Sequence, residues 1–277
     1  MDLNRTRPDR PSRADREAQR QIQSAIPPPP TAALRSGFNK TWERLSDRTL
    51  HCPDRITCWR MLHGQLGCNA FLRHVRGPPT SPLCSAPQCC SAGRLETLTH
   101  AFLTCPDIEP VITWMLDAWR AMATIPAPRT ARLILADDPE GWEGADCPKL
   151  YRLWTCLRVA TLGAIWRVRC TRGDYTGGES PARRAALMAI DTVTAAINRD
   201  WRRCQDDLST LDDGAFSTDW WRGAQMWMKV RTFENLWTKP KVFCYLDGPP
   251  PVTRQDPDTR TLELLFSAAI PGVLLPP

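Results

Sequence analysis

A mostly α-helical fold is what the sequence predicts, and three observations predict it. Two long segments, Leu150 to Arg172 and Pro181 to Cys204, repeat apolar residues at helical spacing. A shorter segment repeats Val111, Trp114, Met115, Ala118, Trp119 and Met122 at the same spacing. Finally, one short stretch, Cys84 to Cys105, gathers Cys84, Cys89, His100 and Cys105 in the run CSAPQCCSAGRLETLTHAFLTC. Such a set can staple a small loop-helix module onto a helical domain.

Taken in order, residues 1–36 are rich in Arg, Asp, Gln and Pro and run into Pro27-Pro28-Pro29-Pro30. A segment so poor in apolar residues cannot offset its chain entropy, so a disordered Pro/Arg-rich arm is expected. Residues 37–125 should hold a helical lead-in and the Cys/His module. Phe38, Trp42 and Leu45 repeat at helical spacing, and Pro53 with Asp54 opens a second helix. Ile56, Trp59, Leu62, His63 and Leu66 are expected on its buried side, with Gly67 as its end. Asn69 then caps a short helix carrying Phe71, Leu72 and Val75. Arg73 and Arg76 form a small basic patch on or just past that helix.

In the Cys/His stretch, four residues separate Cys84 from Cys89, which lets two thiolates reach one ion from a tight turn. His100 and Cys105 have the same separation, suiting a helical turn and its exit before Pro106. Two close pairs joined by a short loop supply the four N/S ligands of a tetrahedral structural Zn2+ site. Leu95, Leu98, Phe102 and Leu103 would floor it. Cys90 competes with Cys89 for the second position, and the usual gap favours Cys89. Cys58, His63 and Cys68 do not make a second site. Residues 58 and 63 diverge by about 140° round a helix, so burial against Trp59 and Leu62 is expected instead.

Residues 126–246 read as a Trp-rich helical region, preceded by a helix with Val111, Trp114, Met115, Ala118, Trp119 and Met122 on one face. The stripe Leu150, Leu153, Trp154, Leu157, Thr161, Ile165 and Val168 implies an amphipathic helix. Its arginines, Arg158, Arg167, Arg169 and Arg172, would project outward as a basic face. A glycine-containing break precedes Pro181 and a second helix burying Leu187, Ile190, Val193, Ile197, Trp201 and Cys204, which should pair antiparallel with the first. KVFCYLDG, from Lys241, reads as a short strand. Residues 247–277 read as a Pro-rich tail with a lone apolar stretch, LELLFSAAI.

The run CWRMLHGQLGCNAFLRHV with LETLTHAFLTCP resembles the zinc-binding region of non-LTR retrotransposon reverse transcriptases, which follows the polymerase. Trp59, Arg60, His63, Gly64 and Leu66 match its Trp-Arg-x-x-His-Gly-x-Leu helix. Glu96, Thr97, His100, Phe102, Cys105 and Pro106 match its closing box, and LWTCLRVATLGAIWRVRCTR is similar to its Trp-rich helix. The likeness spans about residues 38–172. It implies a structural zinc-binding module that assists RNA or DNA binding and has no polymerase activity of its own.

Charge fits that expectation mildly: the formal net charge is +6, enough to lean towards an acidic partner such as RNA or DNA. Arg73, Arg76, Arg167, Arg169 and Arg172 are the candidate nucleic-acid contacts. The alternatives are a protein-interaction module, with a Trp-rich surface as its face, or an inactive, degenerate retroelement fragment. No enzyme is expected, since polymerase, endonuclease and ribonuclease H motifs are not legible. Asp137 and Asp138 mimic the Ala-Asp-Asp turn of polymerases, but Leu135 and Pro139 flank them wrongly, so an acidic loop capping the next element is expected. No membrane span or apolar leader is seen, which points to the nucleus or cytoplasm. There, 12 cysteines read as thiols and metal ligands rather than disulfides.

Overall fold

The computed structural model describes residues 50–76, 81–123, 142–171, 180–209, 230–238, 242–249 and 260–265, with 41, 44–47, 125–126, 134–135 and 137 between them. The expected arm, Phe38, Trp42, Asp138 and Arg172 lie outside these residues, as do Trp220, Trp221 and Trp227 of the expected Trp-rich region. Among the described residues the fold is mostly α. Its helices are α1 (Cys52–Leu62), α2 (Asn69–Arg76), α3 (Pro87–Ser91), α4 (Glu109–Met122), α5 (Pro148–Cys170) and α6 (Pro181–Ser209). One antiparallel ribbon joins β1 (Cys244–Asp247) to β2 (Thr261–Leu264) in the register Cys244↔Leu264 to Asp247↔Thr261. No helix among the described residues is long and apolar enough to cross a membrane.

Helix α5 is the axis of the fold. It begins with Pro148 in its first turn, where a missing N–H costs nothing, and its 23 residues run about 35 Å. The expected single apolar stripe is too narrow. Leu153, Trp154, Leu157, Val159, Ala160, Leu162, Ala164, Ile165 and Val168 are all buried, so the helix is covered on nearly every side, as a central core helix is. Helix α6 lies antiparallel along it, with Arg152 near the start of α5 paired to Asp200 late in α6 at 2.9 Å. The contact uses small residues: Ala182, Ala185, Ala186, Ala189 and Ala196 of α6 are buried. Helices α1 and α4 pack against other parts of α5.

The outward basic face expected on α5 is not what forms. Arg158 is 0 % exposed, and its guanidinium donates to the carbonyls of Ile134 at 2.5 Å and Leu135 at 3.0 Å. Asp137 Oδ1 lies 3.9 Å away. Arg167 pairs with buried Asp54 at 2.5 Å, and Arg169 pairs with buried Glu96. Each guanidinium ties α5 to a different segment. An unpaired buried carboxylate is very unfavourable, and these arginines are what the buried acids require. Asp137 is therefore not an exposed acid of a loop that caps the next element. It sits buried at a left-handed φ of 57°, receiving Arg44 Nη2 at 2.8 Å and the Tyr151 hydroxyl at 2.9 Å.

Helix α1 also differs from expectation. Its buried residues are Asp54, Thr57, Cys58 and Met61, while Ile56, Trp59 and His63 face outward. Asp54 decides this: its pairing with Arg167 and with His51 Nδ1 at 3.0 Å turns the Asp54 side of the helix inward. The helix ends at Leu62 rather than Gly67, because Gly64 comes first and takes the left-handed φ of 63° that closes a helix. Strand β2 falls in the expected tail. Its partner lies more than a dozen residues upstream, and local pattern cannot reveal such a pairing. One apolar core runs from Leu45 to Cys244 and includes Cys84, Cys89 and Cys105.

Gly163 shows how tightly α1 meets α5. A Cβ there would lie 2.0 Å from Asp54 Oδ1 and 2.3 Å from its Cγ. Gly163→Ala should therefore push the carboxylate off Arg167 and cost about 3 kcal/mol, read as a fall in the urea midpoint. An unchanged midpoint would contradict this packing.

Candidate metal centre

Two short backbone devices build the site. The first is a hairpin-like turn. An isolated bridge pairs Leu83 with Leu95, the Cys84 N–H donates to the Arg94 carbonyl at 2.9 Å, and the Arg94 N–H donates to the Cys89 carbonyl at 2.9 Å. Gly93 closes the turn at a φ of 64°, a conformation glycine takes without a Cβ penalty. Cys84 and Cys89 thus reach inward from the two sides of one turn. Cys89 is buried and Cys90 exposed, so Cys89 belongs to the cluster.

The second device brings His100 and Cys105 together. On an α-helix, residues five apart diverge, as they do for Cys58 and His63. Here His100–Thr104 forms a π-turn, and the Cys105 N–H donates to the His100 carbonyl at 2.8 Å. A five-residue turn returns Cys105 to the side of His100, a local device often found where function needs it. Pro106 biases the residue before it towards extended backbone, and Cys105 complies at φ −71°, ψ 124°. The Thr97 hydroxyl accepts the His100 N–H at 3.1 Å and helps start the turn.

The ligand atoms of Cys84, Cys89, His100 and Cys105 all lie within 4.8 Å of one another, and all four residues are buried. Cys84 Sγ and Cys105 Sγ are 3.9 Å apart. Two thiolates on one tetrahedral zinc, at the usual bond length, stand about 3.8 Å apart. His100 Nε2 is buried without a hydrogen-bond partner, while Nδ1 lies 3.4 Å from the Thr104 hydroxyl. That division suits a metal-binding imidazole, whose second nitrogen is held by a neighbour. The hydrogen bond from the Cys105 thiol, aided by the Ala86 N–H and His100, brings the Cys84 thiol down to about 4. Cys105 and Cys89 are pushed upward, Cys105 chiefly by that same shared hydrogen bond and Cys89 chiefly by burial. Three crowded sulfurs cannot all ionise side by side unless a cation sits among them. The residues present fit a metal ion.

The site is locked to α5. Phe102 stacks on Trp166 with ring centroids 5.9 Å apart, and the Arg169 guanidinium lies 4.8 Å over the same indole. Glu96, four residues before His100, accepts from Arg169 Nε at 2.9 Å and from the Asn69 N–H at 3.1 Å. It therefore caps α2 as well. Sequence reasoning placed Glu96 in the matching box but missed this role. Its apolar neighbours Leu95 and Leu98 were the only signal that the carboxylate turns inward. Leu98 and Phe102 are buried, as the expected floor requires.

The other candidates separate. Arg167 and Arg169 are committed to Asp54 and Glu96, which corrects their placement on an open basic face. Arg73 and Arg76 lie on α2, with side chains outside the described residues, and Arg172 lies outside altogether. Cys58 and Cys68 are buried, whereas His63 is exposed with its ring 4.3 Å from Trp59, so no second cluster forms from these three. Comparison with protein-family models, curated proteins and solved structures finds no match. Fold and site together define a mostly helical protein with a buried Cys3His group able to hold a metal ion.

Proposed function

We propose that this group holds one structural Zn2+ and that the module serves as the reverse transcriptase-type zinc-binding region of a non-LTR retrotransposon protein. In this reading it assists RNA or DNA binding and has no polymerase activity of its own. The observation that carries the metal assignment is the convergence of four buried N/S atoms, one of them an imidazole nitrogen with no other partner. Soft thiolates and imidazole in that ratio favour zinc over hard cations. With four protein ligands no position is left for substrate, so the ion's contribution is folding rather than chemistry. The residues of the closing box, Glu96 to Pro106, support the family reading. The net charge of +6 supports the polyanionic partner.

Elemental analysis of the purified full chain should find one equivalent of zinc. His100→Ala and Cys89→Ser should lose it, whereas Cys90→Ser should retain it. Affinity for RNA should fall with salt along a negative log–log slope, as counterion release demands. A well-folded protein without metal would overturn the zinc assignment, and salt-insensitive binding would overturn the polyanion reading.

A further inference from the structure

We propose that α2 is seated only when the Cys3His group holds its metal, with Asn69, Glu96 and Arg169 as the link between the two. This rests on the metal assignment above and gives that site a second effect, control of a helix that carries none of its ligands. Helix α2 has 8 residues, too few to persist in water on its own, so what it docks on decides whether it forms. Among the described residues, Ala70 and Phe71 pack with Leu95 in a cluster separate from the main core. Leu95 is the residue whose bridge to Leu83 closes the turn that holds Cys84 and Cys89.

The polar contacts follow the same pattern. Asn69 Nδ2 donates to the Leu83 carbonyl at 2.7 Å, one residue before Cys84. The Asn69 N–H donates to Glu96 Oε1 at 3.1 Å, and the Ala70 N–H donates to the Glu96 carbonyl at 3.3 Å. Glu96 is buried, and its own N–H donates to the Pro82 carbonyl at 3.0 Å. Arg169 closes the triangle, donating from Nε to Glu96 at 2.9 Å and from Nη2 to Asn69 Oδ1 at 3.0 Å. The same guanidinium covers Trp166, which stacks on Phe102 of the His100–Thr104 turn. The start of α2 is thus held by the first ligand turn, and Arg169 braces that turn and the second one. An ion that fixes Cys84 and His100 fixes Leu83 and Glu96 with them, and these are the groups on which α2 docks. Without the ion the turns lose that geometry and the short helix loses its dock. Two equilibria that bias one element are linked reciprocally. Whatever factor the metal adds to the seating of α2, seated α2 adds to metal affinity.

The test uses the full chain well below its melting temperature, with zinc added or removed by a chelator, and reads amide hydrogen exchange across Asn69–Arg76. Removing zinc should speed exchange there roughly tenfold, while α5 and α6 keep their protection. Asn69→Ala, which removes no ligand, should lower zinc affinity by about the same factor in chelator competition. Its cobalt-loaded form should keep the visible spectrum of the wild type, because the four ligands are unchanged. Gly163→Ala, which destabilises the contact of α1 with α5 outside this network, should leave zinc affinity at the wild-type value. That control separates linkage from general loss of stability. Exchange across α2 that ignores zinc, in a chain that binds one equivalent, would overturn the linkage and leave the metal assignment standing. So would an unchanged zinc affinity in Asn69→Ala, or a shifted cobalt spectrum. Failure of the wild-type chain to bind zinc would overturn both readings. The exchange measurement needs no variant, so it decides the case even where a substitution prevents folding.

Discussion

On the zinc assignment proposed above, chelation of the intact chain should lower its melting temperature by about 8–16 °C. At free zinc a thousandfold above Kd, binding to the folded state contributes about 4 kcal/mol. For a domain of this size each kcal/mol moves the midpoint by about 2–4 °C. The loss should be local before it is global. The Leu83–Leu95 turn, α3 and the π-turn at His100–Thr104 are short, and short helices have little stability of their own. Helices α4, α5 and α6 rest on apolar burial instead. The first change should therefore appear in the near-ultraviolet circular dichroism, because Phe102 stacks on Trp166, with far-ultraviolet helix signal following only on heating. Titration with zinc should restore both and release protons, since bound thiolates give theirs up. A chelator-insensitive melting curve would leave the four residues as core thiols and a buried imidazole.

What the sequence made legible follows from how local each feature is. The ligand set could be read because both pairs are close in sequence, and Pro106 announces where the second one closes. Helix α4 and the buried side of α6 could be read because their apolar residues recur at a single period. The arginines of α5 misled for the opposite reason. Arg158, Arg167 and Arg169 read as a solvated face because a charged residue is exposed by default. Their partners Asp137, Asp54 and Glu96 lie 21, 113 and 73 positions away, and nothing local couples the pairs. The same long-range link turned α1 round, since the side carrying Asp54 had to face Arg167 whatever Ile56 and Trp59 preferred. Tertiary ion pairing overrode hydrophobic period at those positions. It also left Trp59 on the outward side of α1.

Alkaline solution should unfold this protein steeply from pH 9 upward. Burial pushes the thiols of Cys58, Cys68, Cys156 and Cys244 up to about 12 in the folded state, against about 9 when unfolded. A raised folded value means that the folded chain keeps its proton while the unfolded chain loses it. The stabilisation is complete below pH 9 and drains away as pH rises from 9 to 12. Each thiol contributes about 1.4 kcal/mol per pH unit in that window, so four remove about 5 kcal/mol per unit. A domain's total stability is about 5–15 kcal/mol, so the midpoint should fall between about pH 10 and 12. Tyr151 adds to the effect, since burial beside Asp137 pushes its hydroxyl up as well. Urea melts at pH 7.5, 9 and 10, with thiolate absorbance followed in parallel, would measure the slope. Replacing Cys156 by Ala should remove about a quarter of it, after its own cavity cost at neutral pH is subtracted. Equal stability at pH 8 and 10.5 would mean that these sulfurs reach solvent in the folded state.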